Sequence, residues 1–254
     1  MTEPTPFTRR RISGTPTGSV RAAPSVAADG DPGPDESGPP KVRRAPLTRD
    51  RLLAAAVAIV DADGLGALTM RALAAAVGVQ PMSLYHHVRN KDEILDLLVD
   101  AVFSEIELPD RDLPWRIALL RRTASVREVL GRHRWAIGLL ESRLNAGPAT
   151  LMHHDAMLGI MRRGGFTVSG AAHAYALLDS YAYGFALQEA MLPFEGPDEL
   201  SDVVEGFAEL VAEGFPYLGE MLHEHVMQPG YSFAGEFEIG LDAVLDALER
   251  WRAP

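Results

Sequence analysis

The residues best suited to chemistry lie in one run, Thr69–Lys91. Met82, Ser83, Tyr85, His86 and His87 gather a thioether, a hydroxyl, a phenol and two imidazoles, with almost no aliphatic groups among them. Such a set is suited to hydrogen-bonding a polar partner. Tyr85 can give its hydroxyl to a phosphate and its ring to a thymine methyl, and Ser83, His86 and Met82 can face base edges. Arg71 can fork onto a guanine or a phosphate. Lys91, beside the free N–H groups of a helix start, can meet a phosphate, and Thr48 and Thr69 offer hydroxyls or amides to others.

The elements that must position these groups are short helices. Thr69 can cap a helix over Met70–Val77, because its hydroxyl accepts a backbone N–H left free at the start. Gly78 tolerates the positive φ of a helix end, and Pro81 suits the first turn of a second helix, Pro81–Val88, that buries Leu84 and Val88. Asn90 caps the next helix, with Glu93 at the capping-box position. Ala74, Gly78 and Leu84 have the spacing of a helix-turn-helix: a small residue at the crossing, glycine in the turn, an aliphatic beneath the second helix. Upstream, Thr48 opens a helix over Arg49–Asp63, in which Leu53, Ala56, Val57 and Val60 form one apolar face and Gly64 ends the run. Downstream, Lys91–Ile106 is too apolar for a helix with one dry face, so it should be covered on two sides and link two domains.

Residues 48–106 resemble the DNA-binding domain of the tetracycline-repressor (TetR) family. The resemblance rests on Gly64-Leu65, Leu68–Ala74, Val77-Gly78-Val79 and Ser83–Lys91, above all the Leu-Tyr-x-His-Val-x-Asn-Lys string. Position by position, it implies DNA contacts at Thr69, Met70, Arg71, Pro81, Met82, Ser83, Tyr85, His86, His87 and Lys91. It also implies an effector pocket in an all-α body and a homodimer paired through its late helices.

The 254-residue chain has a net charge of −11 and no cysteine, which excludes disulfides and thiolate metal sites. Its charge is unevenly placed. Residues 1–95 hold 12 Lys+Arg against 10 Asp+Glu, and residues 96–254 hold 12 against 25. A mildly basic head on an acidic body would turn the head toward a polyanion. Residues 1–46, rich in Pro, Gly and Ser, read as a disordered tail. Its clusters Arg9-Arg10-Arg11 and Lys41–Arg44 fit either a basic arm along DNA or a solvated linker. The sequence holds no membrane-spanning run and no leader core, and the expected compartment is the cytoplasm.

From residue 107 on, helical signals recur without strands: 114–130, 134–144, 149–163, 169–191, 198–213, 216–226 and 233–251. Two stretches fit either a dimer interface or plain core. One carries Ala172, Tyr175, Ala176, Asp179, Tyr183 and Ala186. The other carries Phe237, Leu241, Val244, Leu245, Leu248 and Trp251, with Gly235 and Gly240 allowing close approach. Trp115, Leu119, His133, Met152, His153, Met157, Tyr175, Asp179 and Tyr183 mix aromatic, thioether and polar groups in a manner suited to lining an effector pocket. His153-His154 diverge around a helix, so no metal site is expected, no cofactor is implied, and enzyme signatures are missing.

The expectation is therefore an all-α protein: a tail (1–46), a three-helix helix-turn-helix domain with its connecting helix (47–106) and an effector-binding and dimerisation bundle (107–254). Its expected role is a ligand-responsive regulator, most simply a repressor, with an operator duplex, a small-molecule effector and a second copy as partners. A helical binding or catalytic protein whose helix-turn-helix serves protein contact, or a non-specific architectural DNA binder, would be the alternatives.

Overall fold

Thr48 starts the first helix as its position predicts. Its hydroxyl accepts the Arg51 N–H, and α1 runs Arg49–Asp63 until Gly64, at φ 75°, ends it. The computed structural model describes residues 46–143, 145–192, 211 and 214–253. The tail and the helix expected over 198–213 thus lie outside the described residues, Val211 apart. Two more caps repeat the logic: Thr69 opens α2 (Met70–Val77), and Asn90 opens α4 (Lys91–Glu105). Between them α3 spans only Pro81–Leu84, although the carbonyl of Leu84 still receives the N–H groups of His87 and Val88. The expected helix to Val88 is thus corrected to one α-turn followed by tight turns. Leu84 and Val88 are nevertheless both buried.

The body comprises α5 (Trp115–Arg132), α6 (Pro148–Arg163), α7 (Val168–Ala190), α8 (Pro216–Met221, continued by a π turn to Val226) and α9 (Phe233–Leu248). Among the described residues there is no strand, only an isolated bridge between Phe166 and Arg252. Among the described residues of 134–144 the expected helix is absent. Two 3-10 turns, Arg134–Ala136 and Leu140–Ser142, stand in its place. Here side chains at both ends of the segment are drawn to α4: His133 to Glu105, Arg143 to Asp92 and Asp96. These ties outweigh a weak local helical preference.

Three apolar clusters fill the described unit. The head cluster includes Leu52, Ala56, Val60, Leu73, Leu84, Ile94 and Leu98, and a middle cluster joins Val99, Val102, Phe103 and Ile106 to Val126, Leu130 and Ala182. A distal cluster packs α5, α6, α7 and α9 around Phe166, Leu178 and Phe237. In α1 the dry face is Leu52–Ala56–Val60, and Leu53 and Val57 sit at its margin, a small rotation from the expected face. The connecting helix α4 is buried on two sides, as its composition requires.

Gly78 adopts φ 72°, ψ 36° between α2 and α3, a left-handed conformation that a β-branched residue resists. Gly78→Val should therefore lower stability by about 1–2 kcal/mol in chemical denaturation. An unchanged midpoint would show that the turn relaxes.

Candidate nucleic-acid interface and effector region

The helix-turn-helix geometry follows from caps and small residues. Thr69 Oγ1 accepts the Ala72 N–H at 3.0 Å, and buried Ala74 lets the helices approach. Leu84 and Val88 anchor α3 and the turns after it from below, so that Met82, Tyr85 and His86 face outward. Met82 is 74% and Tyr85 47% exposed. His86, Arg71, Lys91, Thr48 and Thr69 are also exposed, while Met70, Pro81, Ser83 and His87 are half-buried. Asn90 Oδ1 accepts the Glu93 N–H at 2.9 Å, one half of the expected capping box. The other half is displaced: Glu93 accepts from the Arg89 N–H at 2.8 Å and from Arg49 at 2.7 Å. The Arg89 backbone bond, helped by the Arg89 and Arg49 charges, holds the Glu93 carboxyl below its ordinary range. This acid is thus already bound to two cations.

Polar ties fix α4 to both neighbours. Asp92, Asp96 and Asp100 repeat every four residues and lie on one side of the helix. Arg143 takes Asp96 at 2.6 Å and Asp92 at 3.3 Å, and Asp100 accepts the Thr150 N–H at 2.9 Å, capping the start of α6. Gly147 completes this contact, since a Cβ there would lie 2.3 Å from the Asp100 carboxyl carbon. At the C-terminal end of α4, His133 lies between Asp61 of α1 (2.7 Å) and Glu105 of α4 (3.1 Å), and Trp135 Nε1 donates to Asp61 at 2.6 Å. Trp135 also packs against both the head and middle clusters. Beside it a cleft of about 580 Å³ opens among Val60, Asp61, Leu65, Arg132, Arg134 and Trp135.

In the body, Arg122 is buried completely and bonds Asp179 at 2.5 Å, and Tyr183 donates to the other Asp179 oxygen at 3.2 Å. Burial works against the Arg122 charge, but the Asp179 carboxylate outweighs it and holds the guanidinium charged. Tyr175 lies over Arg122 at 5.8 Å, and His153 contacts Phe103 of α4, with ring centroids 5.8 Å apart. Four expected pocket residues, His153, Tyr175, Asp179 and Tyr183, meet here. Leu119 and Met157 lie one helical turn away in the distal cluster. The others do not join them. Trp115 stacks edge-on against Phe166 at 5.0 Å, His133 serves the head junction, and Met152 is 52% exposed because His153 occupies the inward position of α6. Arg122 and Thr123 are not among the residues expected at this site. Their one signal in the chain is an arginine inside the buried repeat Leu119, Arg122-Thr123, Val126, Val129-Leu130.

Burial, with the Arg122 charge, pushes His153 down to about 4 from an ordinary 6.5. Unfolding thus lets this imidazole take up a proton at pH values between the two. The stability it contributes is complete above pH 6.5 and declines as pH falls toward 4. Replacing it tests this: the stability difference between wild type and His153→Leu, from melting curves, should shrink over that interval. A constant difference would contradict a neutral, buried His153.

Comparison with known proteins agrees with this architecture. The family model for bacterial regulatory proteins of the tetR family matches residues 52–98, and the tetracyclin repressor-like C-terminal domain matches 108–251. A transcriptional regulator of the helix-turn-helix type from Saccharopolyspora erythraea is 37% identical over 57% of this chain, a match spanning 62% of that relative's length. The transcriptional repressor DrrR1 of Streptomyces coeruleorubidus is 33% identical over 80% of this chain and 77% of its own. Among solved structures, ActR of Streptomyces coelicolor in complex with actinorhodin shares 30% identity at a TM-score of 0.68, covering 81% of this chain and 98% of that one. With both its head and its body matched, the chain belongs to the TetR family of DNA-binding transcriptional regulators.

Proposed function

We propose that this protein is a dimeric repressor that binds an operator duplex through Tyr85, Arg71 and their neighbours and is released by a small-molecule effector in the body. The observation that carries the mechanism is the double attachment of α4. Asp100 holds the start of α6, Phe103 meets His153, and at its two ends α4 closes the head core and joins Asp61 through Glu105 and His133. A shift of α6 or α7 around an effector is thereby passed to the head. In the DNA-bound arrangement two reading helices sit about 34 Å apart, in successive major grooves. The effector acts only through its differential affinity for the two arrangements.

The pairing face is the outer side of α7 and α9. Phe237, Leu241, Leu245 and Leu248 turn inward onto α7, and Gly240 abuts Tyr181, so this stretch belongs to the core of one protomer. Leu177 and Leu187 of α7, Met191 just past its end and Ile239 of α9 face outward instead, a stripe that a second copy would cover. ActR and DrrR1 support the regulatory role, and we read the chain as a regulator rather than an enzyme. No helix among the described residues is long and apolar enough to cross a membrane. We read the compartment as the cytoplasm, where an operator duplex is reached.

The contacts of the reading face can be tested by anisotropy with DNA flanking the chain's own gene, at fixed salt. Tyr85→Ala and Arg71→Ala should each weaken specific binding by about tenfold or more, leaving scrambled DNA about a thousandfold weaker than the operator for the wild type. Equal wild-type affinity for both DNAs would mean a non-specific binder. Asp61→Ala removes the hydrogen bonds to both His133 and Trp135 without touching the reading face. It should weaken operator binding about threefold to tenfold by loosening the head, with the salt slope unchanged. Lys91→Ala should instead reduce that slope by about one. An altered slope in Asp61→Ala would place Asp61 in the electrostatic contact and refute the junction role.

A further inference from the structure

Arg122 has no accessible surface, yet among the described residues only Nη1 of its three nitrogens has a hydrogen-bond partner, Asp179. Nε and Nη2 have none. Thr123 Oγ1 and His153 Nδ1, equally buried, are also unpartnered. Buried guanidinium N–H groups are costly to leave unpaired, so these atoms mark a place built for another group. The pattern of donors is specific. Nε–H and one Nη2–H lie side by side on the same edge of the guanidinium plane, the fork that takes two coplanar oxygens at once. With Nη1 committed to Asp179, this fork is the part of the side chain left to recognise something. Neutral His153, close enough to feel the Arg122 charge, adds an acceptor beside the fork. The surrounding surfaces are aromatic: Phe103 lies 5.8 Å from His153 and 5.9 Å from His154, and His154 lies 5.2 Å from Tyr175.

We infer that the effector class is a planar aromatic molecule bearing a pair of coplanar oxygen acceptors, a carboxylate in the simplest case, seated on the Nε/Nη2 fork of Arg122, with a ring hydroxyl, not ortho to that carboxylate, donating to His153 Nδ1. This assignment rests on the effector reading above and narrows it. It makes Arg122 the specificity-determining residue and gives a reason for a fully buried arginine in an apolar bundle: Asp179 holds the guanidinium in place and leaves its Nε/Nη2 edge for the ligand. The same seat joins α5 to α6, and His153 passes any displacement to Phe103 on α4.

The test uses the full chain and three probes: a naphthoate with a hydroxyl on its second ring, out of reach of an internal bond to the carboxylate, the naphthoate lacking the hydroxyl, and the naphthol lacking the carboxylate. Calorimetry should show the hydroxynaphthoate binding at least about tenfold tighter than the naphthol, the value of one good charge-assisted pair. R122K keeps a charge opposite Asp179 but has no fork, and it should bring that ratio below about threefold. The double variant R122M/D179L, which removes both charges together, should do the same if R122K does not fold. H153L should abolish the preference for the hydroxyl and keep the preference for the carboxylate. Equal binding of acid and naphthol, binding of none of the three, or discrimination preserved in the Arg122 variants would overturn the assignment. Operator release is scored separately. Discriminating binding without release would sink the effector reading and leave the fork standing, and release without discrimination would do the reverse.

Discussion

Helix α4 cannot move alone, and much of the rest of the described structure depends on that constraint. Ile94 and Leu98 close the head core on one side, and Val99, Val102, Phe103 and Ile106 close the middle core on the other. Its acidic stripe is engaged along its length, by Arg143 at Asp92 and Asp96 and by the start of α6 at Asp100. Close-packed interfaces of this kind exchange between discrete arrangements rather than deform continuously. A helix packed into two cores therefore couples them, and a regulator requires such coupling.

The Arg122–Asp179 pair is better explained by specificity than by stability. Taking two charges out of water is expensive, and an apolar pair of the same volume would often be as stable or more so. Here the pair also recruits Tyr183 and sits beside His153, whose imidazole burial keeps neutral. The cluster spans α5, α6 and α7 and reaches α4 through the His153–Phe103 contact. The buried polar cluster and α4 are thus one contact apart.

Charge is distributed with the same economy. The body carries the acidic excess, and the head keeps Arg71 and Lys91 exposed while Glu93 is occupied by Arg49 and Arg89. A molecule with a net charge of −11 can in this way present a surface compatible with a polyanion.

What the sequence determines by itself is whatever a few neighbouring residues decide. Thr48, Thr69 and Asn90 cap helices through bonds to residues three positions on, Gly78 turns the chain, and Pro81 starts a helix. The helix-turn-helix and the double burial of α4 are therefore legible in the spacing of residues alone. What only the tertiary structure decides involves partners far apart in the chain. The 134–144 segment gives up its helix because His133 and Arg143 reach back to α1 and α4. His133 joins the head junction rather than the polar cluster of the body because Asp61 is there to receive it. Phe237 and Gly240 face α7 rather than a second copy, because Phe185 and Tyr181 complete the core around them. Arg122 shows in the chain only as an arginine at an apolar position of α5, and its partner, Asp179, 57 residues later, is revealed by the fold alone. Hydrogen bonds between near neighbours leave a readable spacing in the chain, whereas an ion pair closed over a long loop leaves none, and only the packed fold reveals it.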